Sequence, residues 1–107
     1  MAENLTIKTE NIKEGDSGYC WVNIELGGNR VGKARIKRNY RKIIIKNINI
    51  FPKFEGRGFA AQTVDLFKKT AREIIADRVR RTARGFWERM GFTDIGDGNY
   101  RWLHKAR

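Results

Sequence analysis

Between residues 42 and 76 the sequence changes character three times, and each change narrows the folds open to it. Residues 42–51 are the most apolar strand-like run of the chain, and Pro52 stops it. The glycines of Glu55-Gly56-Arg57-Gly58 follow. From residue 60 to about residue 72 the apolar side chains Ala60, Val64, Phe67 and Ala71 recur at helical spacing, with Gln62, Asp65, Lys68 and Lys69 on the opposite side. Ile74, Ile75 and Ala76 then make a short apolar strand. A strand, an amphipathic helix and a second strand in this order require a crossover that lays the two strands parallel and sets the helix against one face of the sheet.

The apolar run also slips in phase. Ile43 and Ile45 lie on one face, whereas farther on the apolar residues are Ile48 and Ile50. A slip near Lys46-Asn47 predicts a bulge in a central strand, turning backbone groups out of the ladder. Upstream, Leu5, Ile7 and Thr9 predict a strand over 4–12, ended by the turn residues Gly15-Asp16-Ser17-Gly18. Cys20, Val22, Ile24 and Leu26 form one face of the next strand, with Tyr19, Trp21, Asn23 and Glu25 on the other. Gly27-Gly28-Asn29 supplies a tight hairpin into a strand through Val31, Ala34 and Ile36. Downstream, Ala83, Phe86, Trp87 and Met90 share a helical face ended by Gly91. Residues 92–95 and 100–103 then read as a hairpin around Gly96-Asp97-Gly98-Asn99. The expected class is α+β: a mixed, mainly antiparallel twisted sheet of six or seven strands with two helices, in one domain over residues 1–107.

Charge limits the partners more than the fold. The formal net charge is +11, concentrated in an acid-free stretch from Arg30 to Lys46 and in a second cluster of Arg78, Arg80, Arg81, Arg84 and Arg89. Such a field attracts anions of any kind: nucleic acid, acidic protein surfaces or the phosphates of a coenzyme. The single cysteine, Cys20, and the single histidine, His104, do not stand at metal-ligand spacing, so neither a metal site nor a Cys-His hydrolase is expected. Cys20, in a strand-like segment, reads as a small buried apolar residue rather than a nucleophile. No run approaches the ~20 apolar residues of a membrane span, and Met1-Ala2-Glu3-Asn4 does not begin a basic-then-apolar leader, so the expectation is a soluble, cytoplasmic protein without a membrane partner, as monomer or homodimer.

An apolar strand, a proline, a Gly-x-Gly turn and an amphipathic helix make a phosphate site. Glycines let the backbone approach closely, and the first amides of the helix point at the ligand. Alone, Gly-x-Gly is better read as an ordinary tight turn. Asn47-Ile48-Asn49-Ile50-Phe51-Pro52-Lys53-Phe54-Glu55-Gly56-Arg57-Gly58-Phe59-Ala60 resembles the GNAT acetyltransferase pattern of a bulged strand, a proline and a loop written Arg/Gln-x-x-Gly-x-Gly/Ala. Ala83-Arg84-Gly85-Phe86-Trp87-Glu88-Arg89-Met90-Gly91-Phe92 resembles that family's second signature, a helix running to a Gly-Phe pair. Two signatures at the family's separation are far more specific than either alone, and the resemblance covers residues 43–92.

The resemblance implies an acyl-CoA-dependent N-acetyltransferase with acetyl-CoA as co-substrate. Backbone groups at Ile48 and Ile50 are expected to pair with the pantetheine arm. Glu55, Gly56, Arg57, Gly58, Phe59 and Ala60 are expected to form the pyrophosphate loop, with Trp87 also on the coenzyme side. The chain departs from the pattern at Glu55, where Arg or Gln is usual, and at Trp87, where the family often has a tyrosine acid; an indole N–H has no usable acidity. The acid then falls to Tyr100 or Tyr40, or is absent. Lys46 and Asn47 stand where the family often has its carboxylate base, leaving Asp77 for that role or as a solvated partner of Arg78 or Arg81. Only residues 13–18 separate the first two strands, where the family usually inserts one or two helices, so the acceptor side is expected to be open. An open basic side suits an amine on a large anionic macromolecule better than a small cation. The alternatives are a noncatalytic GNAT-like module and a basic nucleic-acid-binding domain, the latter with Tyr19, Trp21 and Tyr40 as stacking groups.

Overall fold

The computed structural model describes residues 5–13 and 18–105; the expected turn residues 15–17 lie outside them. Strands β1 (Leu5–Lys13), β2 (Cys20–Leu26), β3 (Asn29–Asn39), β4 (Lys42–Ile50), β5 (Glu73–Ala76), β6 (Thr93–Gly96) and β7 (Asn99–Leu103) form one seven-stranded sheet in the order β1-β2-β3-β4-β5-β7-β6. Helices α1 (Phe59–Thr70) and α2 (Arg84–Arg89) complete the fold. The expected α+β class and order of elements are those observed.

β1 to β4 form an antiparallel meander. Its β2–β3 hairpin closes at Gly27 (φ 57°) and Gly28 (φ 83°), the left-handed pair a two-residue turn demands. The α1 crossover makes β4 and β5 parallel, as strand–helix–strand order requires. β7 then inserts antiparallel between β5 and β6.

The sheet is apolar on one face only. Val22, Ile24, Ala34, Ile36, Ile43, Ile45, Ile74 and Ala76 are buried there, and α1 sets Val64 and Phe67 against them. Trp87, Phe92 and Tyr100 extend the same core. Cys20 is half-buried at its margin. In register across the other face stand Trp21, Arg35 and Asn47, then Asn23, Lys33 and Asn49. The two α-helices both belong to the apolar side, so among the described residues none covers this polar face.

Helix α2 is short because Met90 leaves helical geometry and Gly91 follows at φ 87°. Lys68 of α1 ties this end down. Its ammonium donates to the Met90 carbonyl and lies 5.9 Å and 5.4 Å from the ring centres of Phe92 and Trp102. Lys68→Ala leaves a half-buried carbonyl without its donor, and we expect a loss of about 1–3 kcal/mol in urea unfolding. A change within a few tenths of a kcal/mol would show that water replaces the ammonium.

Candidate active site

The site begins with a bulge and a split in the sheet. Arg35 of β3 pairs with Asn47 but Ile36 pairs with Ile45, so Lys46 is the extra residue, where the slip of hydrophobic phase predicts it. The parallel β4–β5 ladder ends at Ile45 and Ala76, and the Asp77 amide donates to the Ile45 carbonyl at 2.9 Å. Beyond this point the chain leaves β4. Arg78 (φ 51°) donates its amide to Asn99 Oδ1 at 2.9 Å and Val79 donates to the Gly98 carbonyl at 2.8 Å, which straps the segment to the β6–β7 turn.

Residues 46–50 therefore keep β3 on one edge and, among the described residues, have no strand on the other. The Phe51 amide donates to the Val31 carbonyl at 2.9 Å, so antiparallel alternation turns the backbone groups of Asn49 and Asn47 toward β3. Those of Ile48 and Ile50 face the open edge.

After β4, Pro52–Phe54 makes a single 3-10 turn. Gly56 (φ 77°) and Gly58 (φ 79°) take left-handed geometry that a side chain would strain. Gly58 is the residue before α1, and the first intrahelical amide is Gln62, bonded to the Gly58 carbonyl at 3.1 Å. The amides of Phe59, Ala60 and Ala61 thus lack intrahelical partners, no side chain caps them, and no acid stands in the first turn. Such a helix start offers free amides that can bind an anion. Buried Phe59 fixes it to the core, and Thr63 Oγ1 donates to the Phe59 carbonyl at 2.8 Å. Glu55 is exposed; the ion pairs among the described residues are Lys42–Glu73 and Lys68–Asp65, and neither engages it.

Two adjoining hollows, each of about 540 Å³, follow this path and meet at Ala60 and Phe86. Ile48, Ala60, Asp77 and Trp87 line the first; Ile50, Glu55, Gly56, Gly58, Phe59 and Ala60 line the second. Most of the expected site residues are thereby brought together. Arg57 is exposed and not among the lining, with its guanidinium 5.3 Å from the Phe59 ring centre. Trp87 is largely buried and edge-packed on Phe86 and Phe92, with centroids 5.1 Å and 4.8 Å away.

Neither tyrosine named as an acid lines the cleft. Tyr100 is 3% exposed within the core, because β7 enters beside β5 and pairs Tyr100 with Ala76. Tyr40 is 93% exposed in the β3–β4 turn, at the end of β4 remote from the open edge.

Sequence reasoning gave Trp21 and Lys33 no part in the cleft, yet both line the first hollow. The phenol of Tyr19 lies beside it. Burial first, and then the Asp77 carboxylate, push its pKa above the ordinary tyrosine value, while Arg35 and Arg78 pull it back. Tyr19 therefore stays protonated through neutral pH. Asp77→Asn removes one of the two raising causes, so the ultraviolet ionisation midpoint of Tyr19 is expected to fall. A midpoint that stays or rises would contradict the proximity of the two groups. Alternation puts Tyr19 and Trp21 off the core face, but only the strand register brings them to Asp77.

The family model for the acetyltransferase (GNAT) family matches residues 2–92. No curated protein matches the sequence. Among solved structures, the fold is similar to that of a GNAT family acetyltransferase from Elizabethkingia anophelis with acetyl-CoA bound, with a TM-score of 0.67, 13% identity, and coverage of 94% of this chain and 99% of that one. It is similar to the Bacillus subtilis N-acetyltransferase YlbP in complex with coenzyme A, with a TM-score of 0.63, 17% identity, and coverage of 78% of this chain and 67% of that one. The KacTA–DNA complex contains another similar chain, with a TM-score of 0.70, 11% identity, and coverage of 94% of this chain and 93% of that one. At these identities the likeness is one of fold.

Proposed function

Since the chain belongs to the acetyltransferase (GNAT) family, we propose that it transfers an acetyl group from acetyl-CoA to an amine carried by an anionic macromolecule. The observation that carries the reading is the continuity of the open β4 edge at Ile48 and Ile50 with the uncapped start of α1, along one cleft. An extended arm with amide groups fits the first and a pyrophosphate fits the second. Two similar folds are solved with acetyl-CoA or coenzyme A bound, which supports the fit.

Bound acetyl-CoA supplies an acetyl group activated as a thioester. The backbone of Ile48 and Ile50 holds the arm, and the amides of residues 59–61 hold the pyrophosphate. Asp77, at the point where β5 leaves β4, accepts a proton from the incoming ammonium directly or through a water. A free thiol has a pKa of about 8.5, so the departing sulfur can leave as thiolate and take up, through water, the proton that the newly acylated nitrogen loses. Transfer then needs no tyrosine acid, in keeping with the positions of Tyr100 and Tyr40. Lys33, Lys46, Arg78 and Arg80 line the same hollow as Asp77 and disfavour a small cationic amine while attracting one borne on an anion.

Titration of the chain with acetyl-CoA tests the reading. Amide resonances of Ile48, Ile50 and residues 56–61 are expected to shift together, with those of β1 unmoved. Saturating acetyl-CoA without shifts at these positions would overturn it. A noncatalytic, nucleic-acid-binding module is the second reading, favoured by the cations around Asp77 and by a neighbouring fold solved with DNA; oligonucleotide binding without acetyl transfer to any amine would support it.

A further inference from the structure

We propose that the uncovered face of the sheet is a binding surface for single-stranded nucleic acid, leading along β3 into the cleft at Asp77. On β3, Lys33, Arg35 and Lys37 project from this face at alternate positions, about 6.7 Å apart along the strand. That is close to the separation of successive phosphates in an extended single strand. Each cation is set against an aromatic ring of β2 or the residue before it. Lys33 Nζ lies 4.6 Å from the centre of Trp21, and the Arg35 guanidinium 5.3 Å and Lys37 Nζ 5.8 Å from that of Tyr19. From the bulge, Lys46 Nζ reaches Tyr19 as well, at 5.1 Å.

A cation already held over a ring loses less freedom when it meets a phosphate, so the row is preorganised for a regularly spaced polyanion. Among the described residues, acids on the face do not cancel it. Glu73 is engaged by Lys42 at 3.9 Å, Glu25 stands toward the β2–β3 turn, and Asp77 lies in the cleft.

The neighbouring side chains select among polyanions. Asn47 stands in register beside Arg35 and Asn49 beside Lys33, and carboxamides suit base edges as they suit no acidic side chain. Aromatic rings and cations interleaved on an exposed sheet are the arrangement by which sheet platforms hold unpaired bases. A duplex groove instead admits a projecting helix or ribbon, which the described residues do not place on this face. The surface rests on the proposed acetyl transfer only for its direction: the row ends where an amine would enter.

Anisotropy of a fluorescein-labelled oligouridylate, titrated with the full chain across a series of potassium chloride concentrations and without acetyl-CoA, tests the surface. Replacing Lys33, Arg35 and Lys37 together by alanine is expected to lower the slope of log affinity against log salt by about 2, at roughly 0.7 per phosphate contact. A charge-matched variant with Lys69, Arg72 and Lys105 changed to alanine should keep the slope. If the triple change on β3 prevents folding, Lys37→Ala alone should lower the slope by about 0.7. An abasic oligomer of the same length should bind about tenfold more weakly. An unchanged slope, equal losses in the control, or equal affinity for the abasic oligomer, a duplex or polyglutamate would each overturn the proposal. If the unmodified chain does not bind the oligouridylate while its acetyl-CoA shifts appear, the surface alone is defeated. Absence of those shifts with oligonucleotide binding intact defeats the coenzyme reading alone.

Discussion

Asp77→Asn is expected to lower kcat for acetyl transfer by about 10²- to 10⁴-fold, and to leave the affinity for acetyl-CoA within about a factor of two. The asymmetry follows from what holds the residue. Its backbone amide is bonded to the Ile45 carbonyl and the next two amides to Asn99 and Gly98, so an isosteric side chain leaves the split between β4 and β5 as it was. Only the capacity to accept a proton is lost. Among the described residues, Asp77 is also the one carboxylate lining the first hollow, amid Lys33, Lys46, Arg78 and Arg80. These cations favour the neutral form of an incoming amine. Steady-state kinetics with an amine acceptor and saturating acetyl-CoA read kcat, and calorimetry reads the coenzyme. An unaltered kcat would remove Asp77 from the chemistry; equal losses in kcat and coenzyme binding would make it a structural residue.

The side of the cleft proposed to hold the coenzyme is legible in the sequence because its parts are local. The phase slip between Ile45 and Ile48 marks the bulge, Pro52 marks the strand end, and Gly56 and Gly58 stand at the left-handed positions before α1. Each can be read within a window of a few residues. The acceptor side is made by register between distant strands. Nothing near Trp21 indicates that it will line a hollow with Asp77, and nothing near Tyr100 indicates that β7 will enter beside β5 and bury it. Tyr100 is an acid by residue type, and its absence from the cleft lining is a fact of topology. The missing insertion between β1 and β2 is likewise visible as a length, whereas its consequence, a basic sheet face with no helix over it, depends on both helices packing on the other side.

Gly32→Ala is expected to weaken acetyl-CoA binding by about tenfold, although Gly32 lies on β3, outside the cleft. A Cβ at this position would stand 2.5 Å from the Asn49 carbonyl oxygen and 3.1 Å from Ile50 Cα, so the backbone of β4 must move. The flanking residues are Ile48 and Ile50, whose amides and carbonyls form the open edge proposed to hold the coenzyme arm. Loss of alignment in two hydrogen bonds, at about 0.5–1.5 kcal/mol each, is sufficient for about a factor of ten. The same displacement should cost about 1–3 kcal/mol of stability, which by itself would not separate a local effect from general loosening. Gly28→Ala provides the separation. Its φ of 83° strains any side chain, yet a Cβ there meets nothing within 4 Å, and the β3–β4 pairing begins only at Gly32, so Gly28 has no partner on β4. It should lose a similar amount of stability while binding acetyl-CoA as the unmodified chain does. If both variants bind alike, the edge of β4 is not what the coenzyme reads. If only Gly32→Ala loses affinity, close packing of β3 on β4 is part of the site.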